Sequence, residues 1–146
     1  MLRRYGSLTD EERWLLLRAF AGLTVVSVEL RFRGIRRLSS ETGGSSEVAR
    51  VGPEQLFRAR QYFRWVEVAS RRHILRTRCL HRSLVLHRWL LRDGLPSQLR
   101  IGVRKDDGSL RAHAWVELDG QIVGDSGAHV ARFTALAGPH ALGIAR

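Results

Sequence analysis

Two Asp-Gly dipeptides, Asp107-Gly108 and Asp119-Gly120, constrain this chain more than any other feature. Such a pair between alternating apolar residues signals a two-residue hairpin turn, because that turn needs positive φ at both central positions. Leu99, Ile101 and Val103 alternate before the first pair, and Leu110, Ala112, Ala114, Val116 and Leu118 alternate between the two. The spacing predicts three antiparallel strands near residues 98–104, 110–118 and 121–125.

Upstream of these strands the period is helical. Thr9 with Glu12 has the form of a capping box, and Leu15, Ala19, Leu23, Val26 and Leu30 then fall on one stripe. Val26, Val28, Leu30 and Phe32 would equally suit a strand, but the longer pattern selects a helix. Pro53 suits the first turn of a second helix, whose stripe is Leu56, Ala59, Phe63, Val66 and Ser70. A third helix begins near Cys79 and carries Leu80, Leu84, Leu86, Leu90 and Leu91. Gly94 and Pro96 end it. The Ser- and Gly-rich run between Gly34 and Gly52 reads as a flexible surface connection. Together these readings give an α+β fold, with N-terminal helices and a Cys-bearing helix packed on a small antiparallel sheet.

The 146 residues, 44% of them apolar, suffice for one core. A single domain over 1–146 is expected: a helical part to residue 76, the catalytic helix and sheet over 77–126, and a C-terminal tail from 127. The run from Trp14 to Val28 is broken by Arg18, Gly22, Thr24 and Ser27 and is shorter than the roughly 20 residues a membrane span needs. No span and no secretory signal are expected, and one cysteine cannot form an internal disulfide, so the expected location is the cytoplasm. The 25 Lys and Arg exceed the 14 Asp and Glu to give +11, a surface that attracts polyanions, whether nucleic acid, acidic peptide or acidic protein.

Chemistry concentrates around Cys79. A thiol attacks a carbonyl as its thiolate, and a free cysteine of pKa about 8.5 needs help to reach that form at neutral pH. A helix start and an imidazole are the two kinds of help within reach. In LRAHAWVEL, parity puts Arg111, His113, Trp115 and Glu117 on one face, lifting His113 off the core side. Whether Asp125 orients that histidine depends on register. A two-residue loop sets Leu118 against Gln121 and leaves Asp125 on the other face; a three-residue loop sets Glu117 against Gln121 and His113 against Asp125. The second register makes a Cys-His-Asp triad. Taken singly, Cys79 fits a small buried apolar group, His113 a structural histidine and Asp125 a turn residue; their order across helix, strand and next strand is what joins them.

Other chemistry is weaker. Ser83 and Ser126 have no dedicated base. Cys79, His113 and Asp125 could chemically hold zinc, but no CxxC or HExxH spacing supports a metal, and no cofactor is expected. His81 and His87, six residues apart, read as surface or supporting groups.

The segment RCLHRSLVLHRWLLRDGLPSQLRIGVRKDDGSLRAHAWVELDGQIVGDS, Arg78 to Ser126, resembles the standalone transglutaminase-like leader peptidases of lasso-peptide biosynthesis. The RCLxRSLxLxxxL helix, the IGV strand, and AHAWVE with an aspartate twelve residues beyond its histidine carry the likeness. The resemblance implies a papain-like arrangement with Cys79 as nucleophile, His113 as base and Asp125 as orienting acid. It implies hydrolysis of the bond joining leader to core in a ribosomal precursor, read through a threonine near the leader's end. It also implies a separate small leader-binding protein and an ATP-dependent lasso cyclase as partners. The stretch before the first helices is expected to be too short for a winged-helix leader-binding domain, so recognition falls to that partner. Arg82 and Trp115 flank the site as candidate substrate contacts, and each fits a packing or structural role at least as well. The rival readings are a non-catalytic basic module binding nucleic acid or protein, and an acyl transferase with an amine acceptor.

Overall fold

Thr9 and Glu12 close a reciprocal cap: the Thr9 N–H donates to the Glu12 carboxylate at 3.0 Å, and the Glu12 N–H donates to Thr9 Oγ1 at 3.2 Å. Helix α1, Asp10–Arg33, follows. The computed structural model describes residues 8–33, 50–75 and 78–136, so the connection expected between Gly34 and Gly52 lies largely outside the described residues. Helix α2, Pro53–Arg72, has proline at its first position, and α3, Cys79–Arg92, ends at Gly94 with φ +72°. Glycine takes that left-handed geometry without the Cβ penalty of other residues.

The sheet has four strands, β1 Ser97–Asp106, β2 Ser109–Leu118, β3 Gln121–Ile122 and β4 Thr134–Ala135, in the order β3-β2-β1-β4. Both hairpins are two-residue turns, with positive φ at Asp107, Gly108, Asp119 and Gly120. The expected sheet of three strands is corrected: β4 pairs with β1 on its far edge, and a two-residue strand is too short to show a period. Between β3 and β4 lies one helical turn, α4, Gly127–Val130.

Helix α3 lies against one face of the sheet, and α1 and α2 pack on α3 and on each other. Ala19, Leu23 and Val26 of α1, Ala59, Val66 and Ala69 of α2, and Leu84, Leu86 and Leu90 of α3 meet Leu99, Val116 and Leu118 in one buried cluster. The stripes expected for α1 and α2 face this core. Leu91 of α3 is exposed, and so are Leu110 and Ala112, because the β1–β2 hairpin runs out beyond the helices that would cover it. Among the described residues no helix is long and apolar enough to cross a membrane.

The opposite face of the sheet is covered where Trp115 lies across Gly102. A Cβ on Gly102 would stand 2.9 Å from the indole and 3.0 Å from Phe133 Cβ. Only a residue without a side chain lets both rings pack flat there, and this floor adjoins His113, which pairs with Gly102 across the strands.

Candidate active site

His113 is half-buried on β2, and its Nε2 lies 2.6 Å from Asp125 Oδ2. A carboxylate only accepts, so Nε2 carries the shared proton and Nδ1 remains as the basic nitrogen. The other carboxylate oxygen accepts the Ser126 N–H at 3.1 Å, which fixes the acid's orientation.

The route to this pair differs from the expectation. The ladder sets Leu118 against Gln121 and Glu117 against Ile122, the register that, continued, would leave Asp125 on the wrong face. It does not continue. The last ladder bond is Val123 N–H to Val116 C=O at 2.9 Å, and Gly124 then turns with φ +79°. A Cβ at Gly124 would enter the Phe63 ring of α2, so only glycine fits both the backbone angle and the space. This kink takes Asp125 out of strand alternation and brings it to His113.

Cys79 is the first residue of α3 and a partly buried free thiol. Its helix is tied to the sheet by a stripe at i, i+4 and i+8: Cys79, Ser83 and His87. Ser83, at first sight a serine without a base, is buried and donates Oγ–H to the Ala114 C=O at 2.9 Å. His87 is also buried, not on the surface, and its Nδ1 lies 2.8 Å from Ser97 Oγ, opposite Leu118. Alternate carbonyls of a strand point to the same edge. Since the Val116 C=O faces β3, the Ala114 C=O faces that edge too, beyond the point where β3 has ended. Ser83 therefore supplies there the donor that a neighbouring strand would have given. From His87 to Ser83 the stripe advances from the level of Leu118 to that of Ala114, and one more turn carries Cys79 toward the His113 end.

The helix start has its own cap. The Arg78 N–H donates to His81 Nδ1 at 3.1 Å. Burial first, then the charges of Arg78 and His73, hold the His81 imidazole below its ordinary pKa, which keeps the accepting nitrogen unprotonated.

Three rings enclose His113. Trp115 stacks on it at 6.1 Å between centroids, Phe133 lies at 5.2 Å, and His129 meets it edge-on at 4.8 Å. Trp115 is only 3% exposed, and its Nε1–H donates to Glu117 at 2.9 Å, so it backs the imidazole and is not open to substrate. Arg82 is half-buried on α3, three residues after Cys79. His129 and Phe133 carry no signal in the sequence, because one helical turn and a two-residue strand have too few residues for periodicity. Ser83 did have one: it lies one helical turn from the only cysteine.

A thiol at a helix start, an imidazole on an adjoining strand and a carboxylate bonded to that imidazole are the groups of a cysteine-dependent acyl-transfer domain. The model of the Transglutaminase-like superfamily matches residues 22–138, and the chain belongs to that superfamily. Its members are commonly cysteine peptidases or acyl transferases. Searches of curated proteins and of solved structures gave no match.

Proposed function

We propose that the protein is a cysteine peptidase that removes the leader from a ribosomally made lasso-peptide precursor, with Cys79, His113 and Asp125 acting as a triad. The observation that carries the reading is the 2.6 Å bond of His113 to Asp125, which leaves Nδ1 for a thiol proton. The motif likeness of Arg78–Ser126 supplies the substrate class.

Cys79 Sγ attacks the scissile carbonyl carbon while its proton passes to His113 Nδ1. The tetrahedral adduct collapses, the C–N bond breaks, and His113 returns the proton to the leaving amine of the core peptide. Water then attacks the thioester, giving up a proton to His113, and the leader departs with a new carboxylate as the thiol is restored. The Cys79 N–H, one of the donors a helix start leaves without an intrahelical acceptor, is a first oxyanion donor. Arg82 is the proposed substrate contact. A separate small protein holds the leader, and an ATP-dependent cyclase consumes the freed core.

The test is cleavage of a cognate precursor with the leader-binding protein present. Cys79→Ala and His113→Ala each lose almost all activity, and the double variant is hardly worse, because nucleophile and base act as one unit. Asp125→Asn loses less. Cleavage by Cys79→Ala at the unaltered rate overturns the reading.

A further inference from the structure

Helix α1 has a second apolar face. Trp14, Leu17, Ala21, Val25, Val28 and Phe32 follow one another at steps of three and four, which keeps them on one stripe opposite the buried one. They remain in solvent, Trp14 at 66% and Phe32 at 79% exposure. The stripe is about 27 Å long, five turns of helix. Scattered exposed apolar residues are ordinary, but a continuous stripe of this length marks a contact surface.

Beside the stripe, α1 and α3 form a groove of about 220 Å³. Gly22 brings the helices close, since a Cβ there would stand 3.1 Å from Val85. Arginines line the groove. Arg18 is held over the Trp89 ring at 4.5 Å, Arg88 is held by Glu29 at 2.7 Å, and Arg92 stands in the last turn of α3. Between Arg13 and Val28 the helix has no acidic residue, so along the middle of the stripe the only charges α1 itself contributes are cationic.

We infer that this face docks an acidic amphipathic helix of a partner protein, whose apolar side covers the α1 stripe and whose carboxylates meet Arg18 and Arg92. A helix laid in a groove reads its partner through anchors at i, i+3, i+4 and i+7, the spacing found here. Charge decides against a second copy of this chain, because two such faces would bring arginine rims together. Shape decides against a bilayer, because a flat surface leaves the groove between α1 and α3 unfilled. The inference needs neither Cys79 nor a precursor and stands apart from the peptidase reading.

The probe is a synthetic helical peptide of about 18 residues, leucine on one face and glutamate on the other, with a lysine-for-glutamate twin, titrated into the full chain by fluorescence anisotropy. The acidic peptide binds saturably and the basic twin does not. Val25→Glu and Arg92→Glu each weaken binding about tenfold, while Lys105→Glu, the same charge reversal on the distant hairpin, changes it less than about twofold. Val25→Ser, read alongside melting temperatures, repeats the loss without added charge. Equal binding of both peptides, or an equal loss with Lys105→Glu, reduces the effect to bulk charge and overturns the inference. Two further outcomes also overturn it: preferential capture by vesicles of equal phosphatidylglycerol and phosphatidylcholine, and a concentration-dependent dimer abolished by Val25→Glu.

Discussion

Replacing Ser83 by alanine removes one buried hydroxyl and leaves the Ala114 carbonyl without its donor on the open edge of β2. A buried acceptor deprived of its partner costs about 1–3 kcal/mol. For a chain of this size each kcal/mol is worth roughly 2–4 °C in melting temperature, so a fall of about 2–12 °C is expected. The larger effect falls on geometry. Ser83 is the tie nearest Cys79, and a misplacement of about 1 Å at a reacting group costs on the order of a hundredfold in rate.

Cys79 is the only cysteine, so alkylation by iodoacetamide reports on it alone and needs no substrate. If Ser83 positions the thiol against His113, the change in alkylation rate caused by His113→Ala is large in the unaltered chain and much smaller in Ser83→Ala. The control is Ser97→Ala, which breaks the buried tie to His87 two turns from Cys79 at a comparable stability cost. There the effect of His113→Ala should persist. An undiminished effect in the Ser83→Ala background, or the same attenuation in Ser97→Ala, refutes a positioning role and leaves Ser83 a structural residue only.

Gly124→Ala forces a side chain into left-handed backbone and into the Phe63 ring; the backbone alone costs about 1–2 kcal/mol, and precursor cleavage should fall to the level of Asp125→Ala. Unchanged melting and cleavage would remove the kink from the account. Gly102→Ala pushes Trp115 and Phe133 away from His113 and should lower kcat more than it raises KM, as steady-state kinetics would measure. His81→Gln tests the cap of α3. Because the folded-state pKa of His81 is depressed, the unfolded chain takes up a proton first as pH falls below about 6.5. Stability present above that value is therefore lost on acidification toward the lower folded value. Glutamine keeps an acceptor without titrating, so unfolding between pH 7 and 5, followed by urea, should depend less on pH; an identical slope would remove His81 from the acid response.

Local signals explain which parts were readable beforehand. The Thr9–Glu12 cap, Pro53, Gly94 and both Asp-Gly turns act within a few residues, and each stands where the pattern predicts. The placement of Cys79 at a helix start and of His113 on a strand was legible because residue type and element order carry it. The Asp125 contact was legible for a different reason from the one that produces it. Register continued past Ile122 does not bring Asp125 to His113; the left-handed turn at Gly124 does, packed against Phe63, sixty-one residues earlier in sequence. Parity puts Trp115 on the His113 face, where it reads as a substrate contact or a packing residue; a glycine on the neighbouring strand lets it pack down over the sheet. At Gly124 a nonlocal contact accompanies the break in alternation; at Trp115 alternation holds, and the nonlocal approach to Gly102 decides its burial.

The shortness of β3 is one cause with two effects at the site. Had the pairing of Leu118 with Gln121 run on, residue 125 would lie against Ala114, its side chain turned to the face opposite His113. A strand at that position would also satisfy the Ala114 C=O and occupy the edge where Ser83 now donates. Ser83 would then lose its acceptor, and α3 the tie to β2 nearest Cys79. By leaving the ladder after Val123, the chain frees the Ala114 C=O for Ser83 and, through the same Gly124 turn, swings the carboxylate onto the imidazole. Delivery of the acid and the tie that holds the thiol helix are thus one structural event. A substitution that lengthened β3 should damage both, whatever it did to stability.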